Sequence, residues 1–180
     1  MRPWLVWTIG LALLVAAWAV IQITPSDDAA VTPFDVSGAI GDSVSGRAFE
    51  ASVTDVRLGD RAEADGWSAE STWVVVDVTA QALLDEQGSL LGHADLIVDG
   101  VRYRASERPT SVFRTGLSVG LPRSGSIAFE VPAGVTERSG VIELGLTEET
   151  RLDSVVRVPV DLAELDRSPD VELRRTEWAR

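Results

Sequence analysis

Five arginines, Arg102, Arg104, Arg108, Arg114 and Arg123, fall between Val101 and Ser124 with one acid, Glu107, among them, in a chain of formal net charge −12. Guanidinium groups at this density suit an anion: a polyanionic envelope polymer, lipid headgroups or an acidic protein partner. In an extended strand Arg102 and Arg104 share the face opposite Tyr103, and Arg102, Arg104 and Arg114 are the candidate binding residues. The alternative is a solvated face on which each arginine pairs with a nearby acid. Trp67 joins them as a candidate recognition residue. It stands in "GDRAEADGWSAEST", read as a polar loop, where a large aromatic either anchors a partner or folds back over the core.

His93 is the one histidine. A Ser-His-Asp arrangement is formally open to it, but no Gly-x-Ser-x-Gly elbow is present. One histidine does not make a multi-His metal site. In "LLGHADL" it reads as a surface or turn residue before a strand, and a hydrolase built on it is the lesser alternative. Cysteine and lysine are both missing from the sequence. That removes disulfides, thiolate nucleophiles and Cys-based zinc sites, as well as Schiff-base chemistry and the phosphate-loop lysine. No Asp-x-Asp-x-Asp-Gly calcium loop occurs, and Glu148-Glu149 reads as a solvated turn. The expectation is a non-enzymatic protein without cofactor or metal. The pI near 4.4 speaks against nucleic acid as a partner.

The elements that must carry these residues begin with "PWLVWTIGLALLVAAWAVIQITP", uncharged from Pro3 to Pro25. Trp4 to Ile23 is about 20 residues, roughly the span of a hydrocarbon core, with Trp4, Trp7 and Trp18 toward its ends. Arg2 before it and Asp27 and Asp28 after it place the N-terminus inside. Residues 1–24 are therefore expected to be an uncleaved signal-anchor, single-pass in the cell membrane, with a cytoplasmic N-terminus and an extracellular C-terminal domain. A cleaved signal peptide ending at Ala17-Trp18-Ala19 is the alternative. Residues 25–46, rich in Pro, Ser, Asp and Gly, form an extracytoplasmic linker, in which Phe34 and Val36 are placed to dock as an edge strand.

Residues 47–163 alternate like strands. Phe49, Ala51 and Val53 share one face. In "STWVVVDVTA", Val74, Val76, Val78 and Ala80 point to the core, and Trp73, Val75, Asp77 and Thr79 point away, the polar ones toward water. Asp99-Gly100 between two apolar runs predicts a two-residue hairpin with Val98 facing Val101 and Leu96 facing Tyr103. Ile127, Phe129 and Val131, then Ile142, Leu144 and Leu146, then Val156, Val158, Val160 and Leu162 continue the pattern. Pro159 marks its strand as an edge. Seven or eight such strands read as an all-β, immunoglobulin-like antiparallel sandwich. Residues 164–180 are a charged tail, read as one short helix opening at Ser168-Pro169 or as disordered.

Trp73-Val74-Val75-Val76-Asp77-Val78-Thr79, then Asp99-Gly100 with Tyr103, then Leu121-Pro122 ahead of Phe129-Glu130-Val131-Pro132, resembles a bacterial family of exported immunoglobulin-like domains of unknown function. That family is similar to the immunoprotective extracellular protein of actinobacteria. The likeness covers about Arg47 to Leu162. The chain departs from it at Ala80-Gln81-Ala82, where the family usually carries Asn, and at Pro122-Arg123-Ser124-Gly125, a lengthened Pro-Gly turn. The resemblance implies an exported domain and no catalytic residue. The functional expectation is a membrane-anchored extracytoplasmic binding module for a protein or envelope-polymer partner, in one form an accessory subunit of a membrane complex. A module whose open sheet edge accepts partner strands is a further alternative.

Overall fold

A computed structural model of the chain describes residues 3–23, 33–84, 89–148, 150 and 153–179. The chain divides into two units, Met1–Thr32 and Pro33–Arg180. The first unit is helix α1 (Pro3–Ile23). Among the described residues, no helix is long and apolar enough to cross a membrane. The expected single-pass anchor, and with it the membrane localisation, is not supported. The physical reason is dilution of the apolar stretch. Within that stretch Thr8, Gly10 and three tryptophans interrupt the aliphatic run.

The second unit is a two-sheet immunoglobulin-like sandwich, as the alternation predicts. Its strands are β1 (Phe34–Ser37), β2 (Val44–Ser45), β3 (Phe49–Ala64), β4 (Trp67–Ala82), β5 (His93–Val98), β6 (Val101–Arg104), β7 (Arg123–Val131), β8 (Ser139–Gly145), β9 (Ser154–Asp161), β10 (Arg167–Glu172) and β11 (Glu177–Trp178). One sheet runs β1-β9-β8-β5-β6 and the other β10-β3-β4-β7-β11, with β2 on β3. The core between them holds Val74, Val76 and Val78 of β4 against Leu96, Ile142, Leu144 and Val156 of the facing sheet. Burying a valine or leucine side chain contributes roughly 1.5–3 kcal/mol, which makes the alternation in "STWVVVDVTA" decisive for the fold.

Local signals turn out as expected at the Asp99-Gly100 hairpin. Asp99 and Gly100 both have positive φ (51° and 78°), the mark of a type I′ turn, and Val98 faces Val101 and Leu96 faces Tyr103. Phe34 and Val36 do dock as strand, parallel to β9, so the ordered domain begins inside the expected linker. Pro159 is not on an edge strand, because β9 lies between β1 and β8. Its missing N–H is tolerated because β1 ends at Ser37, opposite Arg157, and does not reach it.

Two readings are corrected. "GDRAEADGWSAEST" is not a loop: Asp65-Gly66 is a second turn with both φ positive, and Ala64 pairs with Trp67 across it. The inward residues there are alanines, whose weak hydropathy hid the strand period. The tail is neither helical nor loose. β10 adds to β3 in parallel and β11 to β7 in antiparallel fashion, so residues 173–176 pass from one side of the sheet to the other. They seal a second apolar cluster of Ala62, Trp73, Val75, Ala128, Val171 and Leu173 on the outer face. Trp73 donates its indole N–H to the Ala69 carbonyl (3.0 Å).

Asp77, expected to face water, is 2% exposed beneath that strap. Its Oδ1 accepts from Ser126 Oγ (2.5 Å) and Arg57 Nη2 (2.7 Å), and Arg174 Nε lies 3.0 Å from Oδ2. Arg57 Nη1 also donates to the Glu172 carbonyl at 2.8 Å. Arg174 from the strap and Arg57 and Ser126 from the sheet thus converge on one buried charge.

Candidate functional site

The outer face of the other sheet carries a polar cluster that alternation builds residue by residue. Along β5, Ala94, Leu96 and Val98 enter the core, which turns His93 and Asp95 to the outer face. Glu143 of β8 lies directly opposite Asp95, and Gly145 lies opposite His93. The absence of a side chain at Gly145 makes room for the imidazole: a Cβ there would sit 3.3 Å from His93 Cβ. On the outer strand β6, Arg104 pairs with Asp95 and Arg102 with Ile97, and this returns both arginines to the same face.

His93, Asp95 and Glu143 are all buried, at 6%, 5% and 5% exposure. His93 Nε2 stands 3.5 Å from Glu143 Oε2 and 3.9 Å from Asp95 Oδ2, beyond ordinary hydrogen-bond geometry with either. Arg102 Nη1 bridges the two carboxylates at 2.9 Å each. Glu143 is held from its other side by Arg157 Nη2 (3.1 Å), which Asp35 Oδ2 in turn engages through Nη1 (2.8 Å). The imidazole first, and then Arg102 and Arg157, hold the Glu143 carboxyl below its ordinary value against the opposing effect of burial. Asp95 first, with Glu143, raises the Arg102 guanidinium above its ordinary value. Two buried carboxylates demand such compensation, since an unpaired buried charge costs several kcal/mol.

This corrects the reading of His93 as a surface or turn residue. Gly92 before it imitates a turn, but its N–H is bonded to the Leu146 carbonyl and the strand starts at once. Asp95 and Glu143 escaped sequence reasoning. The available signal was the polar i, i+2 pair His93-x-Asp95 on one strand face and the polar outward position in "GVIELGL". Which strand would pair with which was not written locally. The ligand-capable atoms of all three residues lie within 4.8 Å of one another. The arrangement can hold a cation, and at present Arg102 supplies it.

The arginines singled out from sequence are each engaged. Arg102 belongs to the cluster. Arg104 pairs with Glu148 at 2.7 Å, Arg108 with Glu130 at 3.3 Å and Arg114 with Glu107 at 2.6 Å. Glu149 lies outside the described residues. The guanidinium of Arg123 stacks over Trp178, 3.9 Å from the ring centroid. β6 brings Arg102 and Arg104 to one face, whereas Arg114 sits in the connection after it with φ 61°. Trp67 opens β4. Its ring meets Trp73 edge-on (5.6 Å between centroids, 85°), and Arg108 lies 5.5 Å above it.

At one end of the sandwich Leu84, Leu90, Val119 and Leu121 are 71%, 42%, 40% and 57% exposed. Isolated bridges join Ala82 to Val119, Leu90 to Gly116 and Ser118 to Leu121, which brings the backbone near these positions around the 116–121 segment.

No family model matches the chain, and no curated protein does. A secreted protein from Mycobacterium tuberculosis, MPT63, matches in structure with a TM-score of 0.53 at 13% identity, over 72% of this chain and 100% of its own. An uncharacterized β-sandwich protein from Clostridium difficile matches at 0.49 and 9% identity, over 76% of this chain and 99% of its own. At these identities the likeness is one of fold, and the first of the two supports the sandwich read from the sequence.

Proposed function

We propose that the chain is an exported, non-enzymatic binding module that meets a protein partner through the apolar end formed by Leu84, Leu90, Val119 and Leu121. The observation that carries this reading is their exposure: four aliphatic side chains gathered at one end of a sandwich whose cores are otherwise closed, the usual mark of an interaction site. Charge decides the class of partner. The chain is −12 overall, and Arg102, Arg104, Arg108 and Arg114 each already have a carboxylate, so a polyanion must first displace one at each, while an apolar protein surface displaces none. Export is supported by the fold likeness to a secreted protein and by the apolar N-terminal stretch, read as a leader cut after Ala17-Trp18-Ala19. His93 Nε2 without a hydroxyl partner gives no support to a hydrolase.

A second reading rests on Arg104 and Arg114. Both are 56% exposed at the side chain and pair only with exposed acids. Such pairs are worth at most about 1 kcal/mol, so an incoming anion would displace them at little cost.

In-cell crosslinking of the full chain, followed by mass spectrometry, tests both readings. A protein captured by the natural chain and lost from Leu84→Asp/Leu121→Asp supports the apolar end. Capture unchanged by that pair, but lost with Arg104→Ala/Arg114→Ala, transfers the site to the arginines. Mass measurement of the exported protein reports whether residues 1–19 have been removed.

A further inference from the structure

The geometry points to a divalent transition-metal site at His93, Asp95 and Glu143, with zinc as the best-matched ion and Arg102 as the group that gives way to it. Four observations converge. First, His93 Nε2 is buried without a partner at ordinary hydrogen-bond geometry, and it lies 3.5 and 3.9 Å from two carboxylates. A buried ring nitrogen without a partner costs about 1–3 kcal/mol, which a bond to a metal would recover.

Second, the spacing fits. Tetrahedral bonds of about 2.1 Å place neighbouring ligand atoms about 3.4 Å apart. His93 Nε2 lies 3.5 Å from Glu143 Oε2 and 3.9 Å from Asp95 Oδ2, so these two edges need shifts of a few tenths of an ångström, and the ligand atoms of all three residues lie within 4.8 Å of one another. One imidazole with two carboxylates favours zinc or a similar transition ion over calcium and magnesium, which prefer all-oxygen sets.

Third, the ligands come from rigid neighbouring strands. His93 and Asp95 are two apart on β5, and Glu143 faces Asp95 on β8. Arg157 and Asp35 fix the outer oxygen of Glu143 in the manner of a supporting shell. Fourth, the position is already a cation site. Arg102 Nη1 contacts both ligand oxygens, yet its side chain is 56% exposed and has open solvent to swing into. Its departure opens the fourth metal position on the solvent side. Zinc and the Arg102 guanidinium are therefore competitors for one place.

Zinc chloride titrated into the full-length chain at neutral pH, followed by calorimetry and by zinc X-ray absorption, is the test. The expected result is saturable 1:1 binding, with an absorption spectrum that requires one imidazole among N/O ligands. His93→Gln and Asp95→Asn should each weaken binding at least tenfold. Arg102→Met should strengthen it severalfold, because the competitor is gone while both carboxylates remain. Absence of 1:1 binding by both the natural chain and Arg102→Met overturns the site. So does an all-oxygen shell, or binding indifferent to His93→Gln. If a ligand variant fails to fold, the natural chain's absorption spectrum and the sign of the Arg102→Met change decide the question.

Discussion

Arg174, six residues before Arg180, lays its Nε 3.0 Å from Oδ2 of Asp77, inside the valine run of β4. That contact explains how an aspartate survives in "VVVDV". The strap covers it, two arginines neutralise it, and Ser126 donates to it. Replacing Asp77 with Ala takes the shared carboxylate from Arg57 and Arg174 and the acceptor from Ser126. Both arginines keep access to water, and the loss is about 1–3 kcal/mol. Urea unfolding should show this loss, and amide exchange should speed up at Leu173, whose N–H is bonded to the Glu63 carbonyl. Stability unchanged within 0.5 kcal/mol, about the scatter of an ordinary surface substitution, would mean that the strap does not depend on this charge.

The strap also depends on Gly59. A Cβ there would lie 2.7 and 2.9 Å from the two methyls of Val171 and 3.2 Å from the Ser168 carbonyl oxygen. Gly59→Ala is expected to cost about 1–3 kcal/mol through overpacking. The double variant Gly59→Ala/Val171→Ala should cost less than the sum of its parts, because removing the valine methyls relieves the clash. Strict additivity in a denaturation series would count against this contact.

At the tip of the β5–β6 hairpin, Gly100 has φ 78° with nothing within 4 Å of a Cβ. Space is therefore free and only the backbone objects. Gly100→Ala should lose about 1–2 kcal/mol. Gly134→Ala, equally open but at ordinary φ, should stay within about 0.5 kcal/mol. Equal thermal shifts for the two would refute the conformational argument.

Glu50 carries a pH signature. The hydroxyls of Ser43 and Ser45, and more weakly the Gln81 amide, hold its carboxyl below the ordinary value, with Ser45 Oγ donating at 2.9 Å. A carboxyl depressed in the folded state binds fewer protons there than when unfolded. Its contribution is present above the unfolded value, near 4.3, and is lost as pH falls through the folded one. Melting temperature followed from pH 6 downward should fall less steeply in Glu50→Gln than in the natural chain. Parallel curves would show that Glu50 contributes nothing.

What the sequence determined by itself was everything that depends on neighbours along the chain. Alternation sorted Val74, Val76 and Val78 from Trp73, Val75 and Asp77, and that sorting defined the sandwich. Asp99-Gly100 set a turn and a register because a type I′ turn needs only two residues. The same logic was legible at Asp65-Gly66 but was masked by alanine, whose burial signal is weak. Alternation says which side chains share a face; it does not say whether that face is wet. Only the tertiary structure decided that Trp73 and Asp77 lie under a C-terminal strap, because the strap's partners, Gly59 and Ser126, are remote in the chain. Only the pairing of β5 with β8 brought Glu143 to His93 and Asp95. A strand's polar residues carry no mark of the strand they will face, since that choice is made by the burial of the opposite side. The length of α1 was legible as an apolar run, but an apolar run is not by itself a membrane span.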